Sequence, residues 1–295
     1  MGHEWAGQVV KVGQGVKDFK PGDRVAGEAH VGCGKCDNCK RGHYTVCLNY
    51  GKDGKDGGLD MGHRHYGFYW QGANAEYNVY KSSALHRIPD GVSYDVASMC
   101  DCAGVAFHGV KLAGVTPGGT SVVFGPGAIG LCAMMECKAL GSGRVIMIGR
   151  GAKLEKAREL GADICIDFEK EDPVKRILEL TGGVGADEVM ECSGASDSPL
   201  KACQMVKKTG AVAIIATYHN DTVPIPANIV NFNEIKLVGS KANPNVSDQV
   251  LHFFATGAIQ GEKLITHTFP LEEYEKAVDI FEHKKEGSIK FVINP

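Results

Sequence analysis

Four cysteines stand in the pattern Cys33-x2-Cys36-x2-Cys39-x7-Cys47. Thiolates two residues apart converge across a turn, so four of them can close a tetrahedral shell around one zinc ion. Gly32, Gly34 and Gly42 supply the turns. Four sulfurs leave no position open for a substrate, so the expected ion is structural and pins a loop. Adjacent CxxC pairs favour metal over disulfides in a reducing setting, and a redox CxxC would not need the third and fourth thiols. The remaining seven of the eleven cysteines are scattered through apolar segments. Those at 132, 137, 165, 192 and 203 read as small core residues.

A second pattern, Gly125-x-Gly127-x2-Gly130, follows the apolar run Ser121–Phe124 and opens the Ala-, Met- and Leu-rich segment Ala128–Leu140. Strand, glycine turn and helix in this order bind a dinucleotide. The first glycine permits the tight turn, the second lets the backbone approach a pyrophosphate, and the third lets helix and strand pack closely. The expected phosphate-binding residues are Gly125, Gly127, Ala128, Ile129 and Gly130. The next strand, Val145–Ile148, ends in Gly149-Arg150, where an NAD enzyme carries an acid for the ribose hydroxyls. A glycine there removes a charge that would repel a 2′-phosphate. Arg150, with Lys153 nearby, can contact that phosphate. NADP is therefore expected over NAD, although Arg150 could instead stack on adenine or face solvent.

These residues need elements to hold them. From Thr120 to Ser240 strands and helices alternate. Strands are expected at Ser121–Phe124, Val145–Ile148, Ile164–Ile166, Glu188–Cys192, Ala211–Ala216 and Ile235–Val238. Helices are expected at Lys153–Leu160, Pro173–Leu180 and Pro199–Lys207. The alternation predicts an α/β doubly wound parallel sheet of the Rossmann type. Before it, Val9, Val10 and Val12, the turn Lys20-Pro21-Gly22-Asp23 and the strand Arg24–Ala26 read as a mainly-β module. Ala75–Tyr80 alternates like a strand. His63, Arg64 and His65 could line a substrate entrance or simply be solvated. Val92–Gly114 has a helical pattern, with Asp101 in its apolar middle. A carboxylate there must be paired, bound to metal or at an exposed edge. His108 on the same segment reads as a core histidine. After Asn243, helices at Val246–Phe254 and Leu271–His283 and strands at Thr266–Pro270 and Ser288–Asn294 are expected.

With 43% hydrophobic and 23% charged residues, the 295-residue chain has the makeup of a soluble globular protein with room for two domains. A net charge of -3 gives no basic footprint for nucleic acid or an anionic membrane. No apolar run approaches the ~20 residues of a spanning helix. The start Met-Gly-His-Glu-Trp lacks signal-peptide features and matches a myristoylation site poorly. The expected location is the cytoplasm.

Taken together, Gly2-His3-Glu4, the four-cysteine loop, the helix with Asp101-x2-Gly104-x-Ala106-x-His108 and the glycine turn resemble the zinc-dependent medium-chain alcohol dehydrogenases along the whole chain. Gly27-Glu28-Ala29-His30-x2-Cys33-Gly34-x-Cys36 is most similar to the L-threonine 3-dehydrogenase and polyol dehydrogenase branch. The resemblance implies a GroES-like catalytic domain over 1–105, a dinucleotide-binding domain over 106–242 and a C-terminal return to the catalytic domain over 243–295. It also implies a catalytic zinc held by His3 and Asp101, with Glu4 as neighbouring acid or further ligand. The turn at Cys192 and Ser193 would lie under the nicotinamide ribose, Ala216 near the carboxamide, and Lys290 either within reach of the pyrophosphate or in solvent. Relatives pair through the edge strand of the dinucleotide sheet, here near Ile235–Val238, so a homodimer or tetramer is implied.

The family's upstream zinc Cys and the proton-relaying Ser or Thr after it have no counterpart, because this sequence starts at Gly-His-Glu. The expected domain is thus an N-terminally truncated, incomplete GroES-like module. The implied activity is hydride transfer between a secondary alcohol (polyol, sugar-like or L-threonine-like) and NADP, with NAD possible. The alternative is a catalytically impaired fragment that binds only nucleotide and the structural zinc.

Overall fold

A computed structural model describes residues 1–49, 65–68, 70–219, 222–283 and 287–295. In chain order the strands are β1 (Trp5–Gln8), β2 (Arg24–Gly27), β3 (Leu85–Arg87), β4 (Thr120–Phe124), β5 (Arg144–Gly149), β6 (Ile164–Asp167), β7 (Ala186–Glu191), β8 (Val206–Ile214), β9 (Lys236–Gly239), β10 (Ile265–Pro270) and β11 (Lys290–Asn294). The α-helices are α1 (Asp37–Lys40), α2 (Tyr94–Ser98), α3 (Cys100–Ala113), α4 (Ala128–Ala139), α5 (Gly151–Glu159), α6 (Pro173–Leu180), α7 (Ser198–Met205), α8 (Ala227–Phe232), α9 (Ser247–Thr256) and α10 (Tyr274–Glu282). The chain forms two units, Met1–Gly104 with Ala242–Pro295, and Val105–Lys241.

The second unit carries a parallel sheet in the order β6-β5-β4-β7-β8-β9. Strand order reverses at β4, which lies between β5 and β7. This is the switch point at which open α/β sheets bind dinucleotides beyond the strand C-termini. Every residue of β4 is buried, as expected of a strand covered on both faces. Val122, Ile146, Ile148, Val189 and Val212 meet Ile177 of α6 and Met205 of α7 in one apolar core. The start of α6 is fixed by Asp172, which accepts from the N–H groups of Val174 and Lys175 at 2.9 and 3.2 Å, and by Pro173.

The first unit holds the antiparallel sheet β1-β2-β3 and the parallel pair β10-β11. Val31, Tyr66 and Ala84 pack with Tyr80 in one small core. Phe269, Ala277 and Ile280 pack with Phe291 and Ile293 in another. Among the described residues, no helix is long and apolar enough to cross a membrane.

Four expectations for elements are corrected. The first strand is Trp5–Gln8, upstream of the Val9–Val12 run. Val9 still exchanges backbone hydrogen bonds with Asp23 and Gly22 at 2.9 and 2.8 Å, and the Pro21-Gly22 turn ends the pairing there, before Val10 and Val12. Ala75–Tyr80 forms no ladder; side-chain amides of Gln71 and Asn78 bond to its carbonyls and neighbours, and Tyr77 and Val79 are exposed. The single helix over Val92–Gly114 is two helices, α2 and α3. Ser98 Oγ donates back to the Asp95 carbonyl at 2.7 Å and competes with helix continuation there. Finally, the helix Pro199–Lys207 stops at Met205, because β8 begins at Val206. His63 and Arg64 lie outside the described residues.

Candidate functional site

In the first unit the Cys33, Cys36, Cys39 and Cys47 sulfurs all lie within 4.8 Å of one another. Cys33 and Cys39 are 3.9 Å apart, Cys36 and Cys47 3.8 Å. Sulfurs ~2.3 Å from a central ion stand ~3.8 Å apart in a tetrahedron, so the set fits zinc. Backbone N–H groups of Lys35 and Cys36 donate to Cys33 Sγ at 3.4 Å, and Asn49 Nδ2 donates at 3.1 Å. Desolvation opposes ionisation of Cys33, but the Lys35 and Cys36 N–H groups, with the Cys47 and Cys36 thiols, outweigh it and bring its thiol down to about 6. Cys33 is thus favoured as a thiolate that binds metal, whereas burial, the largest cause, pushes the Cys39 thiol up to about 12.

His3, Glu4 and Asp101 form a second group with ligand atoms within 4.8 Å. β1 starts just after His3 and Glu4, and the first turn of α3 presents Asp101. His3 Nε2 is 4.0 Å from Glu4 Oε1 and 3.9 Å from Asp101 Oδ2. Burial, then the charge of Lys290, holds the His3 imidazolium down to about 4, so the ring is a neutral donor. Burial, then the charge of Glu28, raises the Asp101 carboxyl to about 7. Asp101 Oδ1 is buried without a hydrogen-bond partner. A neutral imidazole, a buried unsatisfied carboxylate oxygen and a second acid suit zinc. Lys290, expected at the cofactor, pairs its ammonium with Glu4. His3 and Glu4 also line a cavity of about 870 Å³ with Tyr80, Tyr94, Phe281 and Phe291. The His65 and Phe68 rings pack tilted with centroids 4.1 Å apart, and Phe68 and His3 likewise at 4.3 Å, so one of the three expected entrance residues reaches this group through an aromatic ring.

Sequence reasoning missed Glu28. Its carboxylate is buried and accepts from Tyr44 OH at 2.6 Å and from Ser247 Oγ. His86 Nε2 lies 3.0 Å from it, and His86 Nδ1 lies 2.8 Å from Asp248. Burial works against protonation of His86, but Glu28 and Asp248 outweigh it and raise the imidazolium above its ordinary value. Asn245 N–H donates to Tyr44 OH at 3.0 Å, and Asn245 Nδ2 to Gly42 O at 2.8 Å. The cysteine loop is thereby tied to the C-terminal segment. The available signal was an acid directly after the buried strand Arg24–Gly27.

In the second unit the three glycines of the turn each meet a different constraint. Gly125 has φ +106°, and a Cβ there would stand 2.7 Å from Ser193 Cα. A Cβ on Gly127 would meet nothing within 4 Å, which leaves the face open to a ligand. A Cβ on Gly130 would fall 1.9 Å from the Gly125 carbonyl oxygen. Ala128 and Ile129 open α4, whose first N–H groups are free of helix partners. At the end of β5, a Cβ on Gly149 would lie 2.4 Å from the Pro126 ring. Arg150 is exposed, pairs with Glu169 and lies over the Phe168 ring at 5.6 Å. Lys153 is on α5. Cys192 and Ser193 follow β7, and Ala216 follows β8. The dinucleotide-type turn fits its cofactor on the open face of Gly127 and the steric demands at Gly125 and Gly130.

Comparison with known proteins agrees with this geometry. Residues 1–90 match the model for the alcohol dehydrogenase GroES-like domain, and 128–256 that for zinc-binding dehydrogenase. The sorbitol dehydrogenase of Halalkalibacterium halodurans is 31% identical over 300 residues, covering 100% of this chain and 83% of its own. The L-threonine 3-dehydrogenase of Bacillus licheniformis is 33% identical over 294 residues, covering 99% and 81%. A protein described as a zinc-binding dehydrogenase from Sinorhizobium meliloti 1021, solved bound to NADP, superposes with TM-score 0.89 at 28% identity, over 99% of this chain and 82% of that one. The chain belongs to the zinc-dependent medium-chain alcohol dehydrogenases, a family that couples alcohols to nicotinamide dinucleotides, and stands close to its sorbitol and L-threonine dehydrogenases.

Proposed function

We propose that this chain transfers hydride between a secondary alcohol of the polyol, sugar-like or L-threonine-like class and a nicotinamide cofactor, with NADP preferred. The observation that carries the alcohol chemistry is the His3, Glu4 and Asp101 group. His3, Asp101 and Glu4 would hold a zinc ion. The chemistry such an ion supplies is polarisation of an alcohol oxygen, and a bound nicotinamide supplies hydride acceptance. The protein's share is to keep His3 neutral, to hold the Asp101 carboxylate buried beside it, and to neutralise Glu4 with Lys290.

NADP preference rests on Gly149 and Arg150. Pro126 leaves no room for an acidic side chain at 149, and Arg150 offers a cation beside it. Gly125, Gly127, Ala128, Ile129 and Gly130 would cradle the pyrophosphate, with Cys192, Ser193 and Ala216 on the nicotinamide side. Lys153 would add charge near the 2′-phosphate. Steady-state assays with sorbitol, other polyols and L-threonine, each with NADP and NAD, test the reading. Turnover of none of them, or preference for NAD, would count against it.

A second reading, nucleotide and structural-zinc binding without turnover, is favoured by one contact. The Lys290–Glu4 pair occupies one of the three donors. Zinc content separates the two: two tightly held ions per chain favour the enzyme, one favours the second reading. We further propose a homo-oligomer formed along β9, the edge strand of the parallel sheet, which follows the exposed Phe232 at the end of α8. A reducing cytoplasm suits the cysteines, all of which are free thiols in this structure.

A further inference from the structure

Glu191 ends β7 with its side chain fully buried. Its Oε1 accepts from Ser193 N–H at 2.8 Å, Ser193 Oγ at 2.5 Å and Gly194 N–H at 3.2 Å. Its Oε2 accepts from the hydroxyl of Tyr218, beyond the end of β8. Its own carbonyl takes the N–H groups of Ile215 and Ala216 at 2.9 and 3.0 Å. One residue thus ties together the segments that leave two adjacent parallel strands.

Those segments also touch. Gly194 has φ +70°, and a Cβ there would stand 2.8 Å from the Thr217 carbonyl oxygen. On its other side the turn abuts the glycine loop, since a Cβ on Gly125 would reach Ser193 Cα at 2.7 Å. Contacts therefore run from Tyr218 through Glu191 and Ser193 to Gly125.

Strand order gives this chain of contacts a direction. A dinucleotide in such a sheet lies across the strand ends, its pyrophosphate at the glycine turn and its adenosine ribose at the end of the next strand on one side. Here those are β4 and β5, and the opposite side, β7 and β8, is left for the nicotinamide half.

We propose that Tyr218 is a positioning residue for the nicotinamide half of the cofactor: by bonding Glu191 it sets the Ser193–Gly194 turn against Gly125. Adenosine binding, on the β5 side, does not depend on it. The proposal rests on the dinucleotide reading above and goes beyond it by dividing the two halves of the ligand between two sets of residues.

The test is binding to the intact chain of two probes, NADPH and adenosine 2′,5′-bisphosphate, by calorimetry, together with the emission of bound NADPH. Tyr218→Phe removes the hydroxyl and keeps the ring. It is expected to weaken NADPH by about five- to tenfold, to shift the bound nicotinamide emission toward that of the free cofactor, and to leave the bisphosphate within about twofold. Glu191→Gln is the second variant, should Tyr218→Phe not fold. Its amide carbonyl can still accept from the turn, so NADPH should weaken by less, again with the bisphosphate unchanged. Parallel weakening of both probes would make Tyr218 a support of the whole unit and overturn the proposal, as would no change in either. If the unmutated chain binds neither probe, the dinucleotide reading fails too, an outcome distinct from failure of the Tyr218 link alone.

Discussion

Gly149 lies so close to Pro126 that a Cβ on it would stand 2.4 Å from two atoms of the proline ring. The end of β5 is therefore glycine for a steric reason as well as an electrostatic one. The usual device for changing cofactor preference, an acid at this position, should fail here. Gly149→Asp is expected to lose ~2 kcal/mol of stability or more through overpacking and to bind neither NADP nor NAD well. Pro126→Gly with Gly149→Asp should restore folding and favour NAD. Thermal melts and cofactor titrations of the single and double variants check this.

Arg150 shares its guanidinium with Glu169 in an exposed pair, which contributes little to stability. Its value should appear with the ligand. Arg150→Ala is expected to weaken NADP by about tenfold and NAD by less than about twofold. Glu169→Gln, which frees the guanidinium, should strengthen NADP. Equal effects on both cofactors would remove the 2′-phosphate from the account.

Glu136 is fully buried on α4, and neither carboxylate oxygen has a hydrogen-bond partner. Burial, then Cys132, raises its carboxyl well above the ordinary value. The folded chain thus keeps a proton that the unfolded chain gives up once pH exceeds the unfolded value of ~4.3. Above that point stability falls by up to ~1.4 kcal/mol per pH unit, until the folded carboxyl itself ionises. Glu136→Leu should be more stable at neutral pH, by about 1–3 kcal/mol, and should lose that slope. Denaturant melts across pH give both quantities.

Cys47 is the most buried of the four clustered thiols, and its sulfur accepts from Cys33 N–H at 3.4 Å. Cys47→Ser should cost one zinc per chain and on the order of 3 kcal/mol. Elemental analysis with a melt in chelator would show both. A full zinc complement in the variant would place the ion elsewhere.

Much of the dinucleotide unit was legible because its signals are local. A strand covered on both faces is mostly apolar, a phosphate turn needs glycine, and Asp172-Pro173 announces a helix. The metal groups were legible in residue type, since thiols at that spacing have few other uses. What escaped notice is long-range. Nothing next to Lys290 in sequence points to Glu4, and nothing near Tyr218 points to Glu191, because both contacts exist only after distant segments pack. Ala75–Tyr80 has the alternation of a strand, but a ladder needs a partner, and sequence periodicity does not supply one. Glu136 was passed over inside an apolar helix, although an acid there is an anomaly that composition alone exposes.

Glu28 accepts from Ser247, 219 residues further along the chain, and Tyr44 meets Asn245 across 201 residues. The unit they close is built from two separate segments, Met1–Gly104 and Ala242–Pro295, with Val105–Lys241 between them in the chain. Synthesis runs from one end only, so Glu28 leaves the ribosome long before the serine that satisfies it. The inserted unit has all its strands by residue 239 and can fold while the first is still waiting. During that interval an acid destined for burial and a cysteine loop without its C-terminal tether remain in water. The first unit is begun first and finished last, and its closure carries the high contact order that slows folding.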